Sequence, residues 1–261
     1  MSDEPQSSDA RAGYGPLLAE LVELYPELKH DLPPYRSSHN QVRHLAHGWY
    51  LRCHRGIEAI LQLDQTGYAE EVAPLRRSVI EHVLALRWLA AEGNRILDTV
   101  ARGHAADAQR RGEAVSAAGW TSIDLAQIEQ VIAEIDPDSR DPGNDHLLTF
   151  AHRLAAYGDM HTRPGYLAEC ARTHPSYESA ICYVRLTDGT PLPRSRDAVW
   201  QVPFSTTHLL EALLAIQHVY DPEPWHPRLD DIVTSYCQVT DDVRIQDGLP
   251  TVDWSPGKLH D

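Results

Sequence analysis

The chain has 261 residues, of which 42% are hydrophobic and 23% charged; this is enough apolar material for a sizeable core in one large domain or two small ones. Its 23 lysines and arginines against 38 aspartates and glutamates give a formal charge of −15, which disfavours unspecific binding to nucleic acids and anionic membranes. We expect no signal peptide and no membrane span, because the sequence has no suitable apolar run. Four cysteines without C-x-x-C spacing favour a cytoplasmic protein.

Apolar residues recur at three- and four-residue spacing through most of the chain, the pattern of amphipathic helices. A polar, disordered leader is predicted for residues 1–13. The helices predicted after it span residues 16–24, 38–63, 68–91, 95–118, 121–135, 146–157, 166–172, 176–183, 205–220 and 227–238. The broadest apolar stripe lies in the 68–91 segment, which predicts a central, largely buried helix. Pro74 is the alternative start of that helix.

Two segments lack the helical pattern. Asp188-Gly189 stands between two short runs, which predicts a small irregular hairpin near residues 184–204, and residues 241–261 form an irregular tail. Because strands do not alternate with helices, the pattern argues against a parallel α/β sheet. We therefore predict an all-α fold, a helical bundle with two long antiparallel central helices, in a single domain over residues 14–240.

Several well-known catalytic motifs are missing from the sequence. It contains no G-x-G-x-x-G, G-x-x-x-x-G-K-[ST], H-E-x-x-H or G-x-S-x-G, so nucleotide-fold, zincin and α/β-hydrolase chemistry lose their support. A di-iron bundle needs E-x-x-H pairs on two helices. The sequence has one such pair, Glu27 and His30, in a short stretch bounded by prolines, so that scheme fails as well.

The 38–63 helix carries a candidate metal site. His47, His54 and Glu58 stand at i, i+7 and i+11, which places them on similar sides of the helix. His54 and Glu58, one turn apart, could bind a divalent ion together. His47 lies about 10 Å from His54 along the axis, too far to share that ion directly. The alternative is a solvated polar face. A divalent ion is the only cofactor that the sequence suggests.

A second candidate site lies in the predicted central helix. Arg77 and Glu81 are four residues apart and can form a pair on one face. A charged pair within a broad apolar stripe needs polar partners from another helix, because burial of an unpaired charge is costly. One interpretation is a polar pocket wall in which Arg77 binds an anion and Glu81 acts as a base or ligand. The other is a buried pair that fixes helix register.

Two resemblances involve this helix. Arg77 and His82 form an R-x-x-x-x-H spacing similar to the ribonuclease motif of HEPN-type helical domains, which implies metal-independent RNA cleavage, often across a dimer. The segment 75–81, followed by Tyr166-Leu167-Ala168 and His174-Pro175-Ser176, resembles an uncharacterised bacterial helical family over about residues 35–185. That resemblance implies a helical fold and one polar cluster of Arg77, Glu81, Tyr166 and His174, with no activity attached.

Three hypotheses of function remain open. The first is a small-molecule enzyme or binder with an enclosed polar pocket: Arg77 and Tyr166 would bind a small anionic ligand, while Glu81 and His174 would exchange protons. The second is a HEPN-like ribonuclease in which Arg77 and His82 are catalytic, although the negative charge makes nucleic acid an unfavoured partner. The third is a non-enzymatic interaction or regulatory domain. A homodimer is compatible with all three.

Overall fold

A computed structural model describes residues 9–27, 33–119, 142–159, 161–181, 184–187, 190–193 and 201–252. These residues form an all-α fold with one short hairpin, so the predicted fold class is confirmed. Their α-helices are α1 (Tyr14–Glu27), α2 (Arg43–Gln65), α3 (Ala73–Glu92), α4 (Leu97–Ala117), α5 (Phe150–Tyr157), α6 (Thr162–Thr173), α7 (Tyr177–Ile181), α8 (Gln201–Gln217) and α9 (His226–Gln246). In the part of the chain described here, no helix has the length and apolar character needed to cross a membrane.

Helix α3 lies at the centre of the fold and packs against α2, α5, α6 and α8. The broad apolar stripe that predicted a buried helix accounts for this position, because side chains from Val79 to Leu89 face several neighbours at once. Trp88 and Leu89 are almost completely buried. Burial of an aliphatic or aromatic side chain of this size contributes about 1.5–3 kcal/mol. Packing around α3 therefore fixes the positions of the polar residues on the same helix.

The contacts between α2 and α3 are close. The Sγ of Cys53 donates a weak hydrogen bond to the carbonyl of Val79 at 3.9 Å, and Gly56 lies against the side chain of the same valine. His39, which precedes α2, contacts the carbonyl of Ala90 through Nε2 at 3.0 Å. Gly56 has no side chain, so the backbone of α2 can approach α3 closely. Its role is helix packing and not the formation of a turn.

Both ends of α3 are set by local backbone chemistry. The helix begins at Ala73, with Pro74 in its first turn, where the missing N–H of proline costs nothing; the later of the two predicted starts is therefore the one observed. It ends at Gly93, whose φ of +57° favours glycine. A Cβ at this position would lie 2.2 Å from the carbonyl oxygen of Ser38. The amide of Asn94 donates to that same oxygen at 2.6 Å.

The described parts of the predicted leader and tail contact each other. Residues Ala10–Gly13 form a 3-10 turn, and Arg11 donates two hydrogen bonds from Nη2 to the carboxylate of Asp247, at 2.7 and 2.6 Å. Helix α9 continues to Gln246, six residues beyond the expected end of the helical domain at residue 240. The predicted helix over residues 227–238 therefore continues into the segment that was expected to be an irregular tail.

The predicted hairpin is present in shortened form: Val184–Thr187 pairs antiparallel with Thr190–Pro193. The predicted 121–135 helix and the Asp188-Gly189 turn lie outside the described residues. A 3-10 segment, Pro142–Leu148, leads into α5 and contacts α4. Helices α5 and α6 both pack on α3, and this arrangement brings the polar residues of three helices together.

Candidate functional site

Four of the predicted site residues form one hydrogen-bonded cluster between α3 and α6. The Nε of Arg77 donates to Glu81 Oε1 and to the hydroxyl of Tyr166, both at 3.1 Å. The Tyr166 hydroxyl donates in turn to Glu81 Oε1 at 2.9 Å. The Nη1 of Arg77 lies 2.9 Å from Nε2 of His174. We call Arg77, Glu81, Tyr166 and His174 the Arg77 cluster.

Local structure explains how these residues meet. Arg77 and Glu81 are one turn apart on α3, while Tyr166 lies in α6 and His174 caps the C-terminus of that helix. The Arg77–Glu81 pair, at i and i+4 on α3, therefore faces two residues of the neighbouring helix α6: Tyr166 within it and His174 at its C-terminal end. The grouping that the family resemblance implied is thus the grouping that the fold produces.

The hydrogen bond between Arg77 and His174 fixes the state of the imidazole. A guanidinium group has donors and no acceptor, so Nε2 of His174 must accept and the ring must be neutral, with its proton on Nδ1. An anion that displaced His174 from Arg77 would free a nitrogen lone pair at the edge of the cluster. A change at the guanidinium would therefore alter the hydrogen bonding of the imidazole.

Tyr166 is held in place by an aromatic neighbour that sequence reasoning missed. Phe150, the first residue of α5, stacks on the Tyr166 ring with centroids 3.8 Å apart and planes 25° apart. The guanidinium carbon of Arg77 lies 5.4 Å from the centre of the same ring, within cation–π range. Phe150 follows an irregular segment, and its role depends on a partner in another helix, so no local sequence signal identifies it.

The electrostatics of the cluster keep Arg77 charged and Tyr166 protonated. Partial burial acts to lower the pKa of Arg77, but hydrogen bonds and charge interactions with Glu81 and Tyr166 outweigh it, so this pKa is raised. Burial, followed by the hydrogen bond to Glu81, raises the pKa of Tyr166 to about 12. At neutral pH the phenol is therefore a hydrogen-bond donor, and its acceptor is Glu81 Oε1.

A second guanidinium lies close to the cluster. Arg153, in α5, interacts electrostatically with Glu81 and Tyr166, while burial lowers its pKa. Its Nη1 donates to the carbonyls of Leu147 and Leu148 at 3.0 and 3.3 Å. Its Nε is buried and has no acceptor among the described residues. Among the described residues, Glu81 therefore interacts with two arginines, Arg77 and Arg153.

The expectation that Arg77 and Glu81 form a deeply buried pair is wrong. Their side chains are 29% and 32% exposed, because the preceding residue on the helix takes the inward position. Arg76 is buried and donates from Nη2 to Glu169 Oε2 and from Nη1 to Gln201 Oε1, both at 2.8 Å. The described residues thus make the Arg77 cluster an accessible surface site rather than an enclosed pocket.

His82 lies apart from the hydrogen bonds of the cluster. Its Nδ1 donates to the carbonyl of Ser78 at 2.7 Å, which leaves Nε2 as the acceptor of a neutral ring. Burial lowers the pKa of His82, and the charges of Arg52 and Arg153 act in the same direction, against the Ser78 carbonyl and Glu81. We therefore expect a neutral imidazole at physiological pH.

The described residues do not form the predicted metal site. Among them, no three His, Cys, Asp or Glu side chains are grouped so that they could hold a metal ion. His54 is buried with its Nδ1 3.7 Å from Glu58 Oε2. The Nε2 of His47 instead contacts the hydroxyls of Tyr220 and Tyr35, at 2.6 and 3.1 Å. On this side of α2, His47 therefore contacts tyrosine side chains and does not form part of a metal site with His54 and Glu58.

Comparison with known families places the cluster in a wider context. The model of the Family of unknown function (DUF5677) matches residues 43–191, more than half of the chain. The chain belongs to this family. The match runs from α2 into the second strand of the hairpin and contains all four residues of the Arg77 cluster, together with Phe150 and Arg153. No curated protein and no solved structure matches the chain.

Proposed function

We propose that the Arg77 cluster binds a small anionic ligand and exchanges a proton with it, in a cytoplasmic protein. The observation that carries this proposal is the state of the Arg77 guanidinium. Nε and Nη1 hold the neighbouring side chains, whereas Nη2 has no hydrogen-bond partner among the described residues. A carboxylate or phosphate oxygen is the natural acceptor for such a group.

Charge around the cluster supports an anion over a cation. Among the described residues, Glu81 is the one carboxylate hydrogen-bonded to Arg77 and Tyr166, and Arg153 adds a second positive charge nearby. Partial exposure leaves room for a ligand to arrive without local unfolding. A positive site on a chain of formal charge −15 would favour a compact anion over an extended polyanion, which the remaining acidic surface would repel.

The proposed chemistry follows from the protonation states. The Nδ1–H of His174 serves as a donor to the ligand, while Tyr166 holds Glu81 and Arg77 in place through its own hydrogen bonds. Once the ligand oxygen takes the place of His174 at Arg77, the freed Nε2 can accept a proton from it, and Glu81 can balance the resulting charge.

Calorimetric titration with phosphate, sulfate and acetate tests the proposal. We expect saturable binding of at least one of these anions by the unmodified protein, with affinity at least tenfold lower in Arg77→Gln. Arg110→Gln is the matched control, because Arg110 is an exposed helical arginine with an i, i+3 acidic partner, Asp107. Absence of binding by the unmodified protein, or equal affinity in Arg77→Gln, would contradict the proposal.

A second candidate, metal-independent RNA cleavage through Arg77 and His82, is favoured by one observation. The neutral His82 ring, with Nδ1 bound to Ser78 and two arginines nearby, has the features of a general base. Incubation of an RNA pool with the protein and chelator tests it. Cleavage that His82→Ala abolishes would favour this function, and absence of cleavage would remove it. If neither anion binding nor RNA cleavage is found, a non-enzymatic interaction domain is the remaining hypothesis.

A further inference from the structure

A cleft distinct from the Arg77 cluster lies between α3, α8 and the end of α5. Its volume is about 680 Å³, within the range of small-molecule sites, which runs from about 300 to 1,000 Å³. On α3 it begins at Arg87, ten residues and therefore about 15 Å along the helix axis from Arg77. The cleft is half-open, so a ligand can enter it without a change in the helices.

Small side chains keep the cleft open. Ala90 and Ala91 line it from α3, Ala155 and Ala156 from α5, and Ala215 from α8. Three helices thus present alanine where larger residues would fill the space, and these alanines form the apolar part of a lining that also includes Arg87, Glu211 and His218. A ligand with a hydrocarbon portion would gain free energy there by leaving water.

The charged end of the cleft carries an arginine with unused donors. Arg87 Nη1 lies 3.7 Å from Glu211 Oε1, longer than a hydrogen bond. Arg87 donates no hydrogen bond within the part of the chain that the structure describes, and its side chain is only 24% exposed. A guanidinium with five donors in this position favours a planar, bidentate acceptor.

The acidic groups near Arg87 also have hydrogen-bond partners of their own. Glu211 Oε2 is 2.9 Å from Nδ1 of His208. Asp159 Oδ1 accepts from the amides of His161 and Thr162, at 2.8 Å each, and from the Thr162 hydroxyl at 2.8 Å. Arg87 therefore forms a long ion pair with Glu211 and interacts electrostatically with Asp159, but neither carboxylate accepts a hydrogen bond from it in the described part of the chain, so its N–H donors are available to a ligand.

We propose that this cleft binds a small amphiphilic carboxylate, with its carboxylate on Arg87 and its hydrocarbon body against the alanine-lined wall. The ligand would be an aliphatic acid of medium length rather than a compact ion such as phosphate. This site is separate from the Arg77 cluster, and each can exist without the other.

Titration of the full chain with octanoate, octanol and octylamine tests the assignment. We expect octanoate to bind at least tenfold more tightly than either analogue. Arg87→Gln should weaken octanoate binding at least tenfold, whereas Arg77→Gln should leave it unchanged. Ala90→Leu, which adds volume to the wall while keeping a good helix former, should also weaken it, with far-UV circular dichroism showing that both variants remain folded.

Several outcomes would overturn the proposal. Equal affinity for octanol would show an apolar groove without a role for Arg87, and preference for octylamine would assign the charged end to Glu211. Octanoate binding that is lost in Arg77→Gln and retained in Arg87→Gln would place the ligand in the Arg77 cluster instead. A dimer that Ala90→Leu dissociates and octanoate does not affect would assign the cleft to a second copy of the chain.

Discussion

Arg76 and Arg77 are adjacent on α3, yet they bond to different parts of α6. Arg76 reaches the buried carboxylate of Glu169 at 2.8 Å, whereas Arg77 reaches the hydroxyl of Tyr166 at 3.1 Å. Successive residues of a helix are separated by about 100° of rotation, so one arginine points into the protein and the other lies at its surface. The first therefore serves structure, and the second is available to a ligand.

The two arginines should differ strongly in their effect on stability. Arg76→Met removes the closer cation of the buried Glu169 carboxylate and, among the described residues, leaves only Arg172 at 3.8 Å, so we expect a loss of about 3–5 kcal/mol in the free energy of unfolding. Arg77→Met removes a partly exposed pair and should cost less than about 1 kcal/mol. Urea denaturation of both variants measures the difference. Equal losses would show that both arginines have the same structural role.

Removal of the Tyr166 hydroxyl should lower both the stability of the protein and its affinity for an anion. Tyr166→Phe keeps the stack on Phe150 and removes the donor to Glu81 and the acceptor for Arg77, so we expect a loss of about 1 kcal/mol together with weaker anion binding. Tyr177→Phe is the control, because Tyr177 is 82% exposed. Chemical denaturation and calorimetry measure the two effects, and identical behaviour of the two variants would refute the assigned role.

Stability should fall as the solution becomes mildly acidic. Burial lowers the pKa of His82 and of His47 in the folded state, with His44 adding to the effect at His47. The unfolded chain therefore takes up protons first, below a pH of about 6.5, and each histidine adds a slope of at most about 1.4 kcal/mol per pH unit. The stabilisation is complete above that pH and is lost as the pH falls towards the lowered pKa.

Unfolding curves between pH 7.5 and 5.5 provide the measurement. We expect a flatter dependence of the unfolding free energy on pH in His82→Gln and in His47→Gln than in the unmodified chain. An unchanged slope in both variants would mean that other groups cause the acid sensitivity.

Two glycines provide a matched test of the packing at the end of α3. Gly93→Ala places a Cβ 2.2 Å from the Ser38 carbonyl at a φ of +57°, and we expect a loss of at least about 2 kcal/mol. Gly48, within α2, has nothing within 4 Å of an added Cβ, so Gly48→Ala should stabilise the protein by about 0.5–1 kcal/mol. Thermal unfolding would reveal the opposite signs, and a destabilising Gly48→Ala would contradict this account of α2.

Much of the fold follows from the sequence because helical periodicity is a local property. The stripe of α3 and the start at Pro74 needed only neighbouring residues. Neighbouring residues alone do not show which of Arg76 and Arg77 is buried. That depends on Glu169, about ninety residues away, which bonds to Arg76. The site was predicted in part for the same reason: the i, i+4 pair is visible in the sequence, whereas Phe150 and Arg153 join it only through the packing of α5.

The state of His174 during titration with phosphate tests the central claim most directly. Nitrogen-15 NMR of the imidazole should show a neutral ring with its proton on Nδ1 in the free protein. Added phosphate should cause a saturable shift of the Nε2 signal, and this shift should disappear in Arg77→Gln and persist in Arg110→Gln. A proton on Nε2 in the free protein, or a phosphate response that is the same in Arg77→Gln, would contradict the account.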